Sequence, residues 1–163
     1  MAVPAALEPL ISSWSSYYGD HQLASVAVRY VHLASAMVGG GSAIALDRKV
    51  LGAASAGRDT RRALLEELRG SHRVVVPALA LMALSGVLMT AADLDTFLSS
   101  NLFWLKIGLV GLLLGNGVVL LTAEAALERS VGGSWTRLAL PAAASAALWL
   151  VVVFVGIWLT AAA

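Results

Sequence analysis

Apolar residues in this chain do not alternate with polar ones; they gather into four long runs separated by short polar stretches. The runs cover about residues 23–46, 74–92, 102–126 and 138–161. A helix that crosses the roughly 30 Å hydrocarbon core of a bilayer needs about 20 mostly apolar residues, so each run reads as a transmembrane helix. Barrel strands would show alternation over shorter segments, which excludes a β-barrel. The pattern predicts an all-α fold: one integral membrane domain over residues 1–163, built as a bundle of four transmembrane helices.

Two shorter elements flank the spans. Residues 7–18 place Leu10, Ile11, Trp14, Tyr17 and Tyr18 among serines, which predicts an interfacial segment because Trp and Tyr favour the headgroup zone. Residues 60–69 read as an amphipathic loop helix, with Asp59 or Thr60 as cap, Gly70 as stop, and Leu64, Leu65 and Leu68 turned toward the membrane or the bundle ends. The opening MAVPAALEPL has no basic segment, so a cleaved secretory signal is not expected and the N-terminus is read as retained.

Composition fits this reading. The chain is 59% hydrophobic and 13% charged, about half the charge of an average soluble domain. A formal net charge of +1 gives no field to hold a polyanion, so nucleic acid is not an expected partner. Zero cysteines exclude disulfides, thiolate metal sites and a cysteine nucleophile. Sorted along the chain, the charges predict a topology. Residues 47–73 carry Arg48, Lys49, Arg58, Arg61, Arg62, Arg69 and Arg73, and the loop after the third span adds Arg129 and Arg137. The opposite side holds Glu8, Asp20, Asp93 and Asp95 without Lys or Arg. The positive-inside rule puts the basic loops in the cytoplasm and both termini outside.

Lipid provides no hydrophobic drive between helices, so small residues that permit close approach are read as packing sites. These are Ser35, Gly39, Gly40, Gly41 and Ala43 on the first span, Gly108 and the Gly111–Gly115 pair on the third, and Ala142 to Ala147 with Gly156 on the fourth. The triple glycine lies inside an apolar span, not between strand and helix, which argues against a phosphate loop.

Ionisable groups inside spans are functional candidates by default. Arg29 and His32, three apart and so on one helix face, lie on the first span, and Lys106 lies on the third with Asn116 as an in-span amide. Antiparallel spans bring Arg29, His32 and Lys106 into one layer near the acidic, extracytoplasmic side. The plainer alternatives are snorkelling for Arg29 and Lys106, and interhelical hydrogen bonds for His32 and Asn116. A bis-histidine haem does not fit. His72 falls at the cytoplasmic end, about fourteen residues or roughly 20 Å from the depth of His32, and His21 is eleven residues or roughly 16 Å away along a helix. His72 reads as a loop-end residue beside Arg73. No hydrolytic set and no intramembrane carboxylate stand out, which weighs against a proton-coupled transporter.

The stretches RYVHLASAMVGG, SHRVVVPALALMALSGVLM and NLFWLKIGLVGLLLGNGVVLL resemble the four-helix core of the CopD/HemJ-like membrane proteins over about residues 23–160. That family includes copper-resistance D membrane domains, bacterial HemJ-type protoporphyrinogen oxidases and relatives without an assigned function, and the likeness is greatest to the last. In the oxidases a helix-one histidine and a helix-three lysine are tied to haem and activity. The matching positions are His32 and Lys106, while Arg73 and Pro77 match the opening of the second helix. Asn116 stands where the oxidases tend to carry histidine, a departure that bears on protoporphyrinogen oxidation itself.

The resemblance implies a bacterial cytoplasmic (inner) membrane protein that binds haem b or a porphyrin in a redox or haem-handling role. His32 is then the axial metal ligand, and Arg29, Lys106 and Asn116 are cofactor-binding residues. The alternatives are a non-catalytic accessory subunit, packed against a membrane protein partner or a second copy, and a copper-handling protein. A lone Met37 on the first span and the absence of cysteine make a poor Cu(I) path.

Overall fold

A computed structural model describes residues 6–129 and 134–162 of the chain. Its elements are α1 (Glu8–Asp20), α2 (Gln22–Gly52), a 3-10 turn (Ala53–Ser55), α3 (Arg58–Ala92), α4 (Leu94–Ser99), α5 (Asn101–Arg129) and α6 (Thr136–Ala162). Among the described residues there is no strand. Helices α2, α3, α5 and α6 are each long and apolar enough to cross a membrane, as the four runs predict. Large apolar side chains such as Leu23, Met37 and Leu140 stand out from the bundle at 86%, 76% and 74% exposure. In water that surface would be a liability; lipid is the solvent it suits.

The helices outrun their apolar runs. At 1.5 Å per residue α2 and α3, of 31 and 35 residues, are roughly 47 and 53 Å long, so both emerge from the hydrocarbon at the basic end. There the structure departs from the expected loop helix over 60–69. Gly70 does not stop it, and one continuous helix runs from Arg58 through Gly70 and Pro77 to Ala92. A glycine ends a helix by taking positive φ, and among the described residues no glycine does so. Its mid-helix cost of about 1 kcal/mol is small beside the packing of the flanking turns. Leu64 and Leu68 of that segment are buried, not turned to lipid. They join Leu46 and Val50 of α2 and Trp135, Leu138 and Ala142 near the start of α6 in one apolar cluster. Trp135 Nε1 donates to the Val50 carbonyl at 2.9 Å, and the Arg61 guanidinium lies 5.0 Å from the Trp135 ring centre. Arg61 also donates to the Ala53 and Ala54 carbonyls of the 3-10 turn.

Nearer mid-bundle, α2 is held between α3 and α6. Gly39 faces Ala78, and Gly40 lies against the Trp149 indole. The packing role read for these two glycines is therefore realised; Gly41 points into open space. Helix α6 in turn packs along α5, whereas α3 and α5 do not pack along each other. The small-residue pair expected to knit α5 into the bundle does not do so. Gly108, Gly111 and Gly115 have nothing within 4 Å of an added Cβ, because α5 turns its glycines away from α6.

At the acidic end, residues 7–18 fold as α1, which buries no residue of its own. It is tied to the rim of α3: Trp14 Nε1 donates to the Leu88 carbonyl at 2.8 Å and Ser15 Oγ to the Ala92 carbonyl at 2.7 Å. Of the two, the Ala92 carbonyl at the end of α3 has no partner farther along the helix.

Candidate functional site

His32 lies on α2, three turns in from Gln22, with its ring turned toward α3. Its Nδ1 is 3.0 Å from the Met82 carbonyl and 3.1 Å from Ser85 Oγ. A carbonyl only accepts, so Nδ1 carries the hydrogen in that contact. Ser85 sends its own hydroxyl hydrogen to the Leu81 carbonyl at 2.7 Å, which frees its oxygen to accept from the ring as well. Ser85 is 3% exposed. With Nδ1 fixed in this way, Nε2 is the free nitrogen of the ring, and it has no hydrogen-bond partner among the described residues.

Space for the ring comes from Gly86 on α3. A Cβ there would lie 3.3 Å from His32 Cε1 and 3.7 Å from Nδ1. Lys106 on α5 has the matching arrangement. Its Nζ and Cε rest over Gly156 of α6, 3.3 and 3.5 Å from where a Cβ would be. Lys106 and His32 are close enough for their charges to interact. Among the described residues the Lys106 ammonium has no hydrogen-bond acceptor and no ion-pair partner. The structure thus brings together an imidazole and an ammonium from α2 and α5, each seated on a glycine of the neighbouring helix.

The other two candidates lie differently. Arg29 is exposed, and its Nε donates to Tyr18 Oη of α1 at 3.3 Å. The guanidinium is thereby turned to the interfacial helix. Asn116 Nδ2 donates to the Pro141 carbonyl at 2.9 Å, joining α5 to α6, which is the interhelical bond expected of a buried amide. The remaining histidines are elsewhere. His21 is at the α1–α2 corner, stacked on Tyr17 at 4.2 Å between ring centres, with Nδ1 3.1 Å from the Tyr17 carbonyl.

His72 is not a loop-end residue. It lies within α3, and its Nε2 is 3.3 Å from Oε2 of Glu124 on α5. Glu124 and Asp47 are buried carboxylates, 7% and 4% exposed; Glu124 lies in the last residues of the third apolar run and Asp47 directly after the first. Asp47 lies beside Ser145 of α6, and its Oδ2 is buried without a hydrogen bond among the described residues. Neither carboxylate belongs to the His32 layer; both are at the basic end.

Among the described residues no three His, Cys, Asp or Glu side chains converge to hold a metal ion. Any metal at His32 would therefore take one protein imidazole and draw its remaining ligands from a cofactor. The donor set fits that arrangement. Imidazoles that ligate metals commonly give their other N–H to a carbonyl or carboxylate, as His32 gives Nδ1–H to Met82. Comparison of the chain with protein-family models, with curated proteins and with solved structures finds no match.

Proposed function

We propose that this chain is an integral membrane protein that binds haem b or a related porphyrin in the layer of His32 and Lys106. The observation that carries the reading is the His32 ring, whose Nδ1 is engaged by Met82 and Ser85 while Nε2 is free. In this reading His32 Nε2 would be the one protein nitrogen to ligate the iron. The Lys106 ammonium, which has no acceptor of its own, pairs with a carboxylate of the ring, a charge-assisted contact strengthened by the low dielectric. Arg29 serves a second carboxylate by leaving Tyr18, and the Oδ1 of Asn116 is the side-chain acceptor available deeper on α5. Haem, when bound, supplies a redox-active iron; the chain supplies the axial nitrogen, the compensating cations and a site away from water. The seam between α3 and α5, which do not pack along each other, would give such a ligand access from the bilayer. With the basic loops in the cytoplasm, the site lies near the extracytoplasmic face of a bacterial inner membrane, and the role is redox or haem-handling, as in the CopD/HemJ-like proteins the sequence resembles.

The test is the absorption spectrum of protein purified from haem-supplemented cells. A Soret band is expected that is lost in His32→Ala, retained in His72→Ala and weakened in Lys106→Met. Colourless wild-type protein refutes the reading.

One observation favours a second reading, a non-catalytic subunit of a larger membrane complex. Gly108, Gly111 and Gly115 form an open stripe on α5, the kind of surface against which another transmembrane helix packs. Under that reading the protein is colourless and co-purifies with a stoichiometric membrane partner, and Gly111→Leu abolishes the association.

A further inference from the structure

At the basic end, on the opposite side of the membrane from His32, two hollows share Arg69, one between α3 and α5 and the other along α3 alone. One, of about 250 Å3, is lined by Arg69, His72, Glu124 and Glu128 over an apolar floor that includes Leu121. The other, of about 420 Å3, is lined by Glu66, Arg69, Gly70 and Arg73. Neither belongs to the haem reading.

Three features define what this cleft suits. The first is depth. The apolar run of α3 begins directly after Arg73, and Glu124 and Glu128 stand where the apolar run of α5 ends. The cleft therefore lies where hydrocarbon gives way to headgroups. The second is charge of both signs. Arg69 shares one hollow with Glu124 and Glu128 and the other with Glu66 and Arg73, a lining that repels a purely anionic headgroup as much as it attracts it. The third is unused hydrogen-bonding capacity. Glu124 is 7% exposed; its Oε2 is engaged by His72, and its Oε1 has no hydrogen-bond partner among the described residues. Gly70 meanwhile leaves the α3 surface bare beside Arg69, with nothing within 4 Å of an added Cβ.

We propose that the cleft binds an aminophospholipid of the phosphatidylethanolamine type. Its phosphate accepts from Arg69 and Arg73, its ammonium donates to Glu124 Oε1 and Glu128, and its acyl chains lie along the seam between α3 and α5. Charge complementarity selects this occupant. Phosphatidylglycerol brings no cation for the carboxylates, and phosphatidylcholine has a cation without an N–H to donate.

The test uses the full chain in non-ionic detergent. It is incubated with phosphatidylethanolamine, its mono-, di- and trimethylated forms and phosphatidylglycerol, all with the same acyl chains, and bound lipid is counted by native mass spectrometry. One phosphatidylethanolamine per chain is expected, with retention falling stepwise on methylation to roughly a tenth in phosphatidylcholine, the scale of a lost charge-assisted hydrogen bond. Glu124→Gln and Arg69→Gln lower retention to a similar degree, while Arg48→Gln leaves it unchanged. Soluble phosphoethanolamine does not displace the lipid. Equal retention of phosphatidylcholine, tighter retention of phosphatidylglycerol, or displacement by soluble phosphoethanolamine overturns the proposal. The methylation series runs on the unaltered chain, so a variant that fails to fold does not blunt the test.

Discussion

The contact most sensitive to a single added carbon is that between Gly40 of α2 and Trp149 of α6. A Cβ at Gly40 would lie 2.8 Å from Trp149 Cε3, 3.1 Å from Cζ3 and 3.3 Å from Cδ2. Carbon atoms rest at about 3.5–4.0 Å, so Gly40→Ala forces α2 and α6 apart by several tenths of an ångström or drives the indole out of its rotamer. The ring has nowhere to go: Trp149 is 3% exposed. Overpacking of this kind costs about 1–3 kcal/mol. Replacing glycine inside a helix returns up to about 1 kcal/mol of helix propensity, which complicates the single variant taken alone. Gly41 removes the complication. It is the next residue of the same helix with nothing within 4 Å of an added Cβ, so Gly41→Ala carries the propensity gain without the clash. The difference between the two variants isolates the overpacking term, and Gly40→Ala is expected to be the less stable by about 1–3 kcal/mol. Unfolding followed by far-ultraviolet circular dichroism in bicelles, with added SDS as denaturant, measures both. Trp149→Phe, which shortens the ring, should recover part of the loss in the Gly40→Ala background, giving a non-zero coupling in the double-mutant cycle. Gly40→Ala as stable as Gly41→Ala would refute the close approach of α2 and α6.

The same unfolding assay checks two further expectations. Trp135→Phe removes the indole N–H that reaches the Val50 carbonyl at 2.9 Å and trims the surface under Arg61, and should destabilise the chain by about 1–3 kcal/mol; an unchanged midpoint would show that this bond does not hold α2 to α6. Gly111→Ala and Gly115→Ala meet no neighbour within 4 Å, so each should leave the isolated chain as stable as before or slightly more so, and a clear loss would mean that α5 turns that face to another helix of the bundle.

The spans were legible because lipid forces the issue: a backbone in hydrocarbon must satisfy itself within one helix, and a run of apolar residues is the only sequence that can pay for the crossing. Where each helix ends was not legible, since the backbone keeps its ladder beyond the apolar run wherever packing rewards it. That is why Gly70 reads as a stop and is not one, and why His72 and Asp47 read as loop residues and are helical. Rotation was harder still. A span apolar on every side marks no face, so neither the seat of Trp149 on Gly40 nor the outward turn of Gly108, Gly111 and Gly115 could be read from spacing. That His32 and Lys106 lie near enough to interact was legible from antiparallel topology alone, but the engagement of Arg29 was not, because a long side chain near the rim reaches whatever acceptor the interfacial helix offers, here Tyr18.

These partial successes share a physical pattern that surface charge counting cannot reveal. The basic end of the molecule, with Arg48, Arg69 and Arg73 at its surface, buries the carboxylates Asp47 and Glu124. The acidic end, with Asp20, Asp93 and Asp95 at its surface, encloses the half-buried cation Lys106. The inner groups at each end thus differ in sign from the charges that stand out on the surface there, and Glu124 lies in the same hollow as Arg69. Sequence order hides the arrangement because its members come from different helices: Glu124 of α5 shares a hollow with Arg69 of α3, and Lys106 of α5 belongs to the end where Asp20 closes α1 and Asp93 follows α3. A four-helix bundle that segregates its inner charges in this way has two chemically distinct ends. The imidazole–ammonium layer at one end suits a ligand that brings negative charge, and the carboxylate-lined cleft at the other suits one that brings an amine.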